Sequence, residues 1–336
     1  MKRNFFIGIT ISAFFIYLIF RKVDFNRLID AFQSANYFLV LPTFLIFLVS
    51  LIIRALRWRY LVNPVKEKIG VTNLFSALSI GFMVNMLLPG RIGEFVRAFV
   101  LGYKEKISKS ASFATIVVER LIDGFTILAL LIVIATLVHF PENSGLIAKY
   151  LRLAGYLSFL FYVIVLGILI FIRSDRLKVV SIIQVLFFFL PHKIKAKILE
   201  LIDSFASGLG VLGEKRDALP ILFSSCAVWL CIGVMNYFIF LSFHLKLPFY
   251  APLLLIVFQA IGVMIPSPGF IGPFHAASIY GMTFFGVSTE VATSAAFLMH
   301  ASFFFPTVAV GFIFLWKENL SLSRIKDMER DQKEES

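Results

Sequence analysis

One short motif occurs twice in the chain, and each copy interrupts an apolar region. Residues 89–102 (PGRIGEFVRAFVLG) and 268–281 (PGFIGPFHAASIYG) are identical at seven of fourteen positions, at a constant offset of 179 residues. A Pro-Gly step cannot continue a helix, because proline lacks an N–H and glycine carries a backbone entropy cost. Broken backbone at membrane depth must be covered by protein or line a cavity. The pair predicts a transporter-type site, although two ordinary loops between short spans would give the same pattern.

The composition predicts an all-α polytopic membrane protein. The 336 residues are 59% hydrophobic with a mean hydropathy of +0.90, whereas soluble domains are roughly 45–50% apolar. The net charge of +12 comes from basic residues between apolar runs, which indicates positive-inside topology and anionic lipid partners rather than nucleic acid. Cys226 and Cys231 share one apolar run without a metal-binding motif. We therefore expect no metal and no cofactor.

The apolar runs predict about six full spans and two re-entrant, Pro-Gly-broken helical hairpins. The predicted spans are residues 5–20, 39–53, 111–138, 153–172, 219–243 and 294–316. The predicted hairpins are residues 73–103 and 251–285, which contain the two motif copies. The arms of the first hairpin have 12 to 16 residues. Arms of roughly 18–24 Å are too short for a hydrocarbon core of about 30 Å.

Four polar or amphipathic segments are predicted at the membrane surfaces. Residues 21–38 form an interfacial helix, and the second span ends with its Arg, Trp and Tyr residues, 54–60, among the headgroups. Residues 139–152 form an outer loop, and a helical apolar stripe from Lys193 to Leu212 lies on the inner leaflet. Residues 177–190 are apolar and are expected at the interface as well.

The distribution of basic residues predicts the orientation. Of 32 Lys and Arg residues, 24 lie in segments predicted inside and 6 in segments predicted outside, which places both termini in the cytoplasm and the chain in the inner membrane. Three full spans separate the two breaks, so the second break opens toward the opposite face. Residues 1–150 and 151–318 are therefore predicted as an inverted repeat within one transmembrane domain, followed by a charged tail, 319–336.

The first motif copy carries charges suited to an anionic headgroup. Arg91, Glu94 and Arg97 are three residues apart and can share a helical face. The motif also begins a half-helix, whose free N–H groups and dipole favour a phosphate. Arginine adds a planar fork that binds phosphate through two hydrogen bonds. We therefore expect an anionic lipid to contact Arg91 and to load from the inner leaflet.

A second charged group lies in the third predicted span. Glu119, Arg120 and Asp123 are close enough along a helix to interact, and ionisable groups at membrane depth are functional candidates. The alternative is a structural salt-bridge cluster. The second hairpin has no Asp, Glu, Lys or Arg, and the second half of the chain offers Asn236 and several other polar groups. The candidate substrate-binding residues are Asn85, Pro89, Gly90, Arg91, Gly93, Glu94, Arg97, Glu119, Arg120, Asp123, Gln259, Pro268, Gly269, Gly272, His275 and His300.

Four stretches carry a family resemblance. Residues 56–61 (LRWRYL), 88–97 (LPGRIGEFVR), 119–123 (ERLID) and 268–272 (PGFIG) resemble the flippase-like membrane domain of the lysylphosphatidylglycerol synthase/flippase family, over about residues 1–320. The resemblance implies movement of phospholipids or lipid-linked substrates between leaflets. The family's soluble domain, which transfers an aminoacyl group from tRNA, is expected to have no counterpart here. His275 stands where many members carry Glu.

Three function classes remain open from the sequence. The first is a lipid translocase without enzyme activity, acting on an anionic phospholipid or a lipid-linked phosphate. The second is a membrane-embedded transferase in which Glu94, Glu119 and Asp123 act as base or metal ligands. The third is an accessory subunit of an envelope-lipid synthase. Expected partners are membrane lipids, with a second copy of the chain or such a synthase as protein partner.

The orientation can be tested by labelling two introduced cysteines. In a chain lacking Cys226 and Cys231, we expect Ser144→Cys to react with an impermeant thiol reagent in intact cells. Lys215→Cys should react only after the cells are opened, because the two positions are predicted on opposite faces. Labelling of both from one side would contradict the inverted repeat.

Overall fold

The structure, a computed structural model, describes residues 2–21, 23–137, 145–175, 178–182, 192–213 and 215–318. These residues form helices and turns without a strand, which confirms the all-helical prediction. The helices are α1 Lys2–Phe20, α2 Phe25–Ser34, α3 Leu41–Val62, α4 Val71–Leu87, α5 Ile92–Glu105, α6 Lys109–Leu137, α7 Gly145–Ser174, α8 His192–Gly208, α9 Lys215–Ser242, α10 Ala251–Met264, α11 Pro273–Thr283 and α12 Thr289–Lys317.

Four described helical segments are long and apolar enough to cross a membrane. They are Tyr37–Val62, Gly155–Ser174, Arg216–Ser242 and Thr289–Lys317, and they match the second, fourth, fifth and last predicted spans. The first predicted span is α1, which is bent by 92° from α2. The third is α6, whose 29 residues extend about 43 Å and carry three charged side chains near the middle. The number of six spans stays a prediction.

Both Pro-Gly motifs break a helix where the sequence predicts. The first break separates α4 from α5, and the second separates α10 from α11, with a short 3-10 turn at Pro268–Phe270. In the first hairpin a Cβ atom at Gly93 would collide with the Gly81 carbonyl. In the second, a Cβ atom at Gly262 would lie 2.7 Å from the Pro273 carbonyl. Small residues thus bring the arms of each hairpin together, whereas their re-entrant placement stays a prediction.

The described residues pack as two compact units. The first comprises Met1–Ile52, Thr72–Val100 and Cys231–Ser336, and its apolar core draws on α2, α9, α10, α11 and α12. The second comprises Ile53–Val71 and Leu101–Leu230, where α6 packs against α7 and α8. The single transmembrane domain and its two sequence halves stay predictions.

The predicted end of the second span is wrong. Helix α3 continues to Val62, and the Arg57 and Trp58 side chains are fully buried instead of lying among headgroups. Trp58 Nε1 donates to Thr115 Oγ1 at 2.9 Å. The 15 residues assigned to this span would extend only about 22 Å, short of a core of about 30 Å.

The predicted outer loop is also too long, because α7 begins at Gly145. The helical stripe beginning at Lys193 is confirmed as α8 with a 3-10 turn at Leu209–Gly213. Its amphipathic face packs on α6, where Ser110 Oγ donates to the Leu201 carbonyl at 2.8 Å. Residues 139–144, most of the apolar segment 177–190, and the tail 319–336 lie outside the described residues.

Candidate functional site

The two breaks repeat one unusual backbone conformation. Gly90 and Arg91 have φ angles of 83° and 56°, and the equivalent Gly269 and Phe270 have 60° and 59°. This left-handed region suits glycine but is uncommon for residues with a side chain. The repeat in the sequence is therefore also a repeat in backbone geometry.

The two breaks meet against α1 in the first unit. A Cβ atom at Gly8 would lie 2.9 Å from Pro89 Cβ and 3.1 Å from Pro268 Cδ, so this glycine contacts both motifs. A Cβ atom at Gly269 would lie 3.0 Å from the Met86 carbonyl oxygen, at the end of α4. The structure thus brings the motif residues of both halves together. No sequence signal indicated that Gly8 of α1 takes part.

In each break, the N–H group at the same motif position donates a hydrogen bond to a side chain. The Gly93 N–H donates to Asn85 Oδ1 at 2.8 Å, and the equivalent Gly272 N–H donates to His275 Nδ1 at 3.3 Å. The Glu94 N–H donates to the Arg91 carbonyl at 3.1 Å. The prediction of free N–H groups for a phosphate is therefore wrong for Gly93 and Glu94, whose hydrogen bonds are used within the break.

Two buried histidines flank the second break. The ring centres of His275 and His300 are 4.7 Å apart, and His300 Nε2 lies 2.7 Å from the Gly269 carbonyl oxygen. Because Nδ1 of His275 accepts a hydrogen bond, its neutral ring carries the proton on Nε2. That nitrogen has no hydrogen-bond partner among the described residues. The second break therefore contains a buried donor directed away from its own backbone.

The first break carries a partly exposed arginine, Arg91. Arg91 Nη1 lies 3.9 Å from Glu94 Oε1, and Arg91 Nη2 lies 3.4 Å from the Val263 carbonyl oxygen. These distances exceed the roughly 2.7–2.9 Å of a strong charge-assisted hydrogen bond. The Arg91 side chain is 40% exposed and the Glu94 side chain 19%. Arg97, in contrast, is buried on α5, where it packs against Gly81 of α4.

Gln259 is held by an amide pair. Its Nε2 donates to Asn236 Oδ1 at 3.2 Å, and Asn236 Nδ2 donates back to Gln259 Oε1 at 3.2 Å. Gln259 Nε2 also lies 3.5 Å from Met299 Sδ. The structure therefore places this candidate site residue in a hydrogen-bonded contact between α9 and α10.

Glu119, Arg120 and Asp123 lie in the second unit, where they join Arg57 in a set called here the Arg57 cluster. Arg57 donates to Asp123 Oδ1 at 2.6 Å and to Glu119 Oε1 at 3.0 Å. Arg120 lies 2.6 Å from Glu119 Oε1 and 3.2 Å from Asp123 Oδ2. Ser225 Oγ accepts a further bond from Arg57 at 3.0 Å. The side chains of Arg57 and Glu119 are fully buried.

These contacts favour the structural alternative for the cluster. Both carboxylates already contact two guanidinium groups, and Arg54 adds a third buried positive charge close to them. Sequence reasoning missed Arg57 as their partner because it placed this residue among headgroups; the short length of that span was the available signal. Among the described residues, no group of three or more His, Cys, Asp or Glu side chains is placed to hold a metal ion.

Comparison with known proteins gives a family match and several distant relatives. The sequence profile of the lysylphosphatidylglycerol synthase transmembrane region matches residues 5–311. A UPF0104 membrane protein of Methanothermobacter thermautotrophicus is 23% identical over 298 residues, covering 84% of this chain and 86% of the relative. Another, from Pyrococcus horikoshii, is 24% identical and covers 96% of this chain and 99% of the relative.

One relative carries the name of an enzyme. Glycosyltransferase AglD of Haloferax volcanii is 26% identical over 326 residues. The match covers 88% of this chain but only 51% of that longer protein.

Removal of Arg57 should destabilise the protein strongly. Arg57→Ala removes the arginine that both buried carboxylates contact most deeply in the protein, and breaking a buried pair in this way costs about 3–5 kcal/mol. The matched control is Arg59→Ala on the same helix, since Arg59 is exposed and forms no ion pair within the described ranges. Thermal unfolding in detergent should show a large loss for Arg57→Ala and little change for the control.

Combining Arg57→Gln with Asp123→Asn should recover some of the stability, because Arg120 and Glu119 then remain as a neutral pair. Equal melting temperatures for Arg57→Ala and Arg59→Ala would contradict a structural role.

Proposed function

The chain belongs to the family of the lysylphosphatidylglycerol synthase transmembrane region, and we propose that it moves an anionic phospholipid or lipid-linked phosphate between leaflets of the cell membrane. The observation that carries this proposal is the meeting of two similarly broken helices against Gly8. Broken helices in corresponding positions are where transporters hold their substrates. The proposal includes cytoplasmic termini, re-entrant hairpins and an inverted repeat that permits alternating access.

Side chains rather than backbone amides would bind the headgroup. Because the N–H groups of Gly93 and Glu94 are used within the first break, the main positive group there is the Arg91 guanidinium. The Arg91 side chain is 40% exposed, so a phosphate could reach it and accept two hydrogen bonds from the fork. The unpartnered Nε2–H of His275, within the described residues, offers a second donor.

The difference in charge between the two motifs favours binding of an anionic lipid at the first break. Arg91 in the first copy is replaced by Phe270 in the second. In the proposed orientation the first break opens inward, so an anionic lipid would load from the inner leaflet. The Arg57 cluster then has a structural role, because its carboxylates are already engaged. A second copy of the chain or an envelope-lipid synthase remains the proposed protein partner.

Loss of Arg91 should slow lipid movement. In proteoliposomes containing labelled phosphatidylglycerol, we expect Arg91→Ala to lower the translocation rate by about tenfold, since it removes a charge-assisted headgroup contact. Arg91→Lys should retain some of the rate, because it keeps the charge but loses the fork.

The matched control is Arg27→Ala. Arg27 lies 3.8 Å from Asp24 with the same three-residue spacing, and its side chain is exposed, so its removal should leave the rate unchanged. A monodisperse Arg91→Ala protein with the wild-type rate would remove Arg91 from the proposed site.

A transferase is the second candidate, favoured by the similarity to glycosyltransferase AglD. Glu94 would then serve as the base, since its side chain is partly exposed. Under the translocase proposal we expect the purified chain to form no product from lipid-linked sugar or aminoacyl-tRNA. Product formation lost in Glu94→Gln but kept in Glu290→Gln, which alters a first-turn glutamate of α12, would establish the transferase instead.

A further inference from the structure

A large cavity lies in the second unit, between the later turns of α3 and the first turns of α9. Its volume is about 960 Å³, within the range of sites that bind whole ligands. From α3 it is lined by Ile53, Leu56, Arg59 and Asn63. Their spacing of three to four residues places them along one side of the helix. The cavity shares no residue with the two breaks or the Arg57 cluster.

The cavity changes from apolar to polar along its length. On α3, apolar Ile53 and Leu56 precede Arg59, whereas on α9 the charged Arg216 precedes apolar Phe223. The polar ends of the two helices meet, because Asn63 Nδ2 donates to Asp217 Oδ2 at 3.4 Å.

The length of the cavity fits one leaflet. The α3 lining runs from Ile53 to Asn63, ten residues along the helix. Ten residues of helix extend about 15 Å, which is half of a hydrocarbon core of about 30 Å. A molecule filling the cavity would therefore be about as long as one leaflet is deep, with its polar group at the end that carries Arg59 and Asn63.

The polar end carries an excess of positive charge. Arg59, Lys68 and Arg216 face Glu67 and Asp217 there, and Asp217 already accepts a hydrogen bond from Asn63. Within the portion of the chain that the structure describes, none of the three cations forms an ion pair. An anion at this end would meet two arginine forks and a lysine.

We propose that this cavity binds an anionic glycerophospholipid, with its phosphate at Arg59 and Arg216 and an acyl chain along Leu56 and Phe223. Guanidinium groups bind phosphate through paired hydrogen bonds, and basic pockets between membrane helices bind anionic lipid headgroups. The apolar half requires a lipid rather than a soluble phosphate. This site is additional to the breaks, so it does not depend on the proposed translocation.

Native mass spectrometry of the full chain in detergent tests the site. Wild-type protein should bind dioleoyl-phosphatidylglycerol about tenfold more tightly than dioleoyl-phosphatidylcholine. The Arg59→Gln/Arg216→Gln double variant should reduce this preference to about threefold or less. The matched control, Arg27→Gln/Lys178→Gln, removes two exposed cations outside the cavity and should keep the preference.

A separate variant tests the apolar half. Ala227→Trp adds a large side chain among the lining residues and should weaken binding of both lipids. Equal wild-type affinity for the two lipids, or an unchanged preference in the double variant, would overturn the proposal. Glycerol 3-phosphate binding as tightly as phosphatidylglycerol would overturn it in favour of a soluble anion. A wild-type translocation rate in Arg91→Ala would contradict the proposed translocation site but not this lipid site, because the cavity shares no residue with the two breaks.

Discussion

The backbone groups released at the two helix breaks need hydrogen-bond partners, and several elements of the first unit supply them. Asn85 accepts from Gly93, His275 accepts from Gly272, and His300 bonds to the Gly269 carbonyl. A buried backbone group without a hydrogen-bond partner costs about 1–3 kcal/mol, so these polar side chains stabilise the breaks themselves. Several residues that resemble substrate ligands in the sequence thus stabilise the fold at the breaks.

The two halves of the sequence provide different partners for their buried polar side chains. The offset that relates the motifs also relates Arg57 to Asn236. Arg57 is held by carboxylates, whereas Asn236 exchanges hydrogen bonds with the Gln259 amide. A charged network is costly to disturb because any lost partner leaves a bare ion, while an amide pair leaves only an unmet hydrogen bond. A rearrangement of the amide pair would therefore require less free energy than a rearrangement of the charged network.

Helix ends and contacts within one helix were predictable from the sequence, whereas contacts between side chains on different helices were not. The break in the first hairpin was predicted, and its two outer ends were predicted to within two residues, because Pro-Gly and its flanking apolar runs determine where a helix stops. The proximity of Glu119 to Asp123 followed from helical spacing alone. Their pairing with Arg57 did not, because it depends on how α3 and α6 pack. The contact of Gly8 with both motifs could not be predicted either, because the sequence does not show which glycine of an apolar helix packs closely against another element.

The separation of Arg57 from Glu119 has a consequence for how the chain enters the membrane. Arg57 is synthesised 62 residues before the carboxylate that neutralises it. An arginine at the centre of a membrane helix costs about 2.5–3.5 kcal/mol during insertion, and the cost at Arg57, five residues before the end of α3, is smaller. Helix α3 therefore gains its full stability in the bilayer only after α6 has left the ribosome. A ribosome that stalls between the two helices would leave Arg57 without the carboxylates that it contacts in the folded protein.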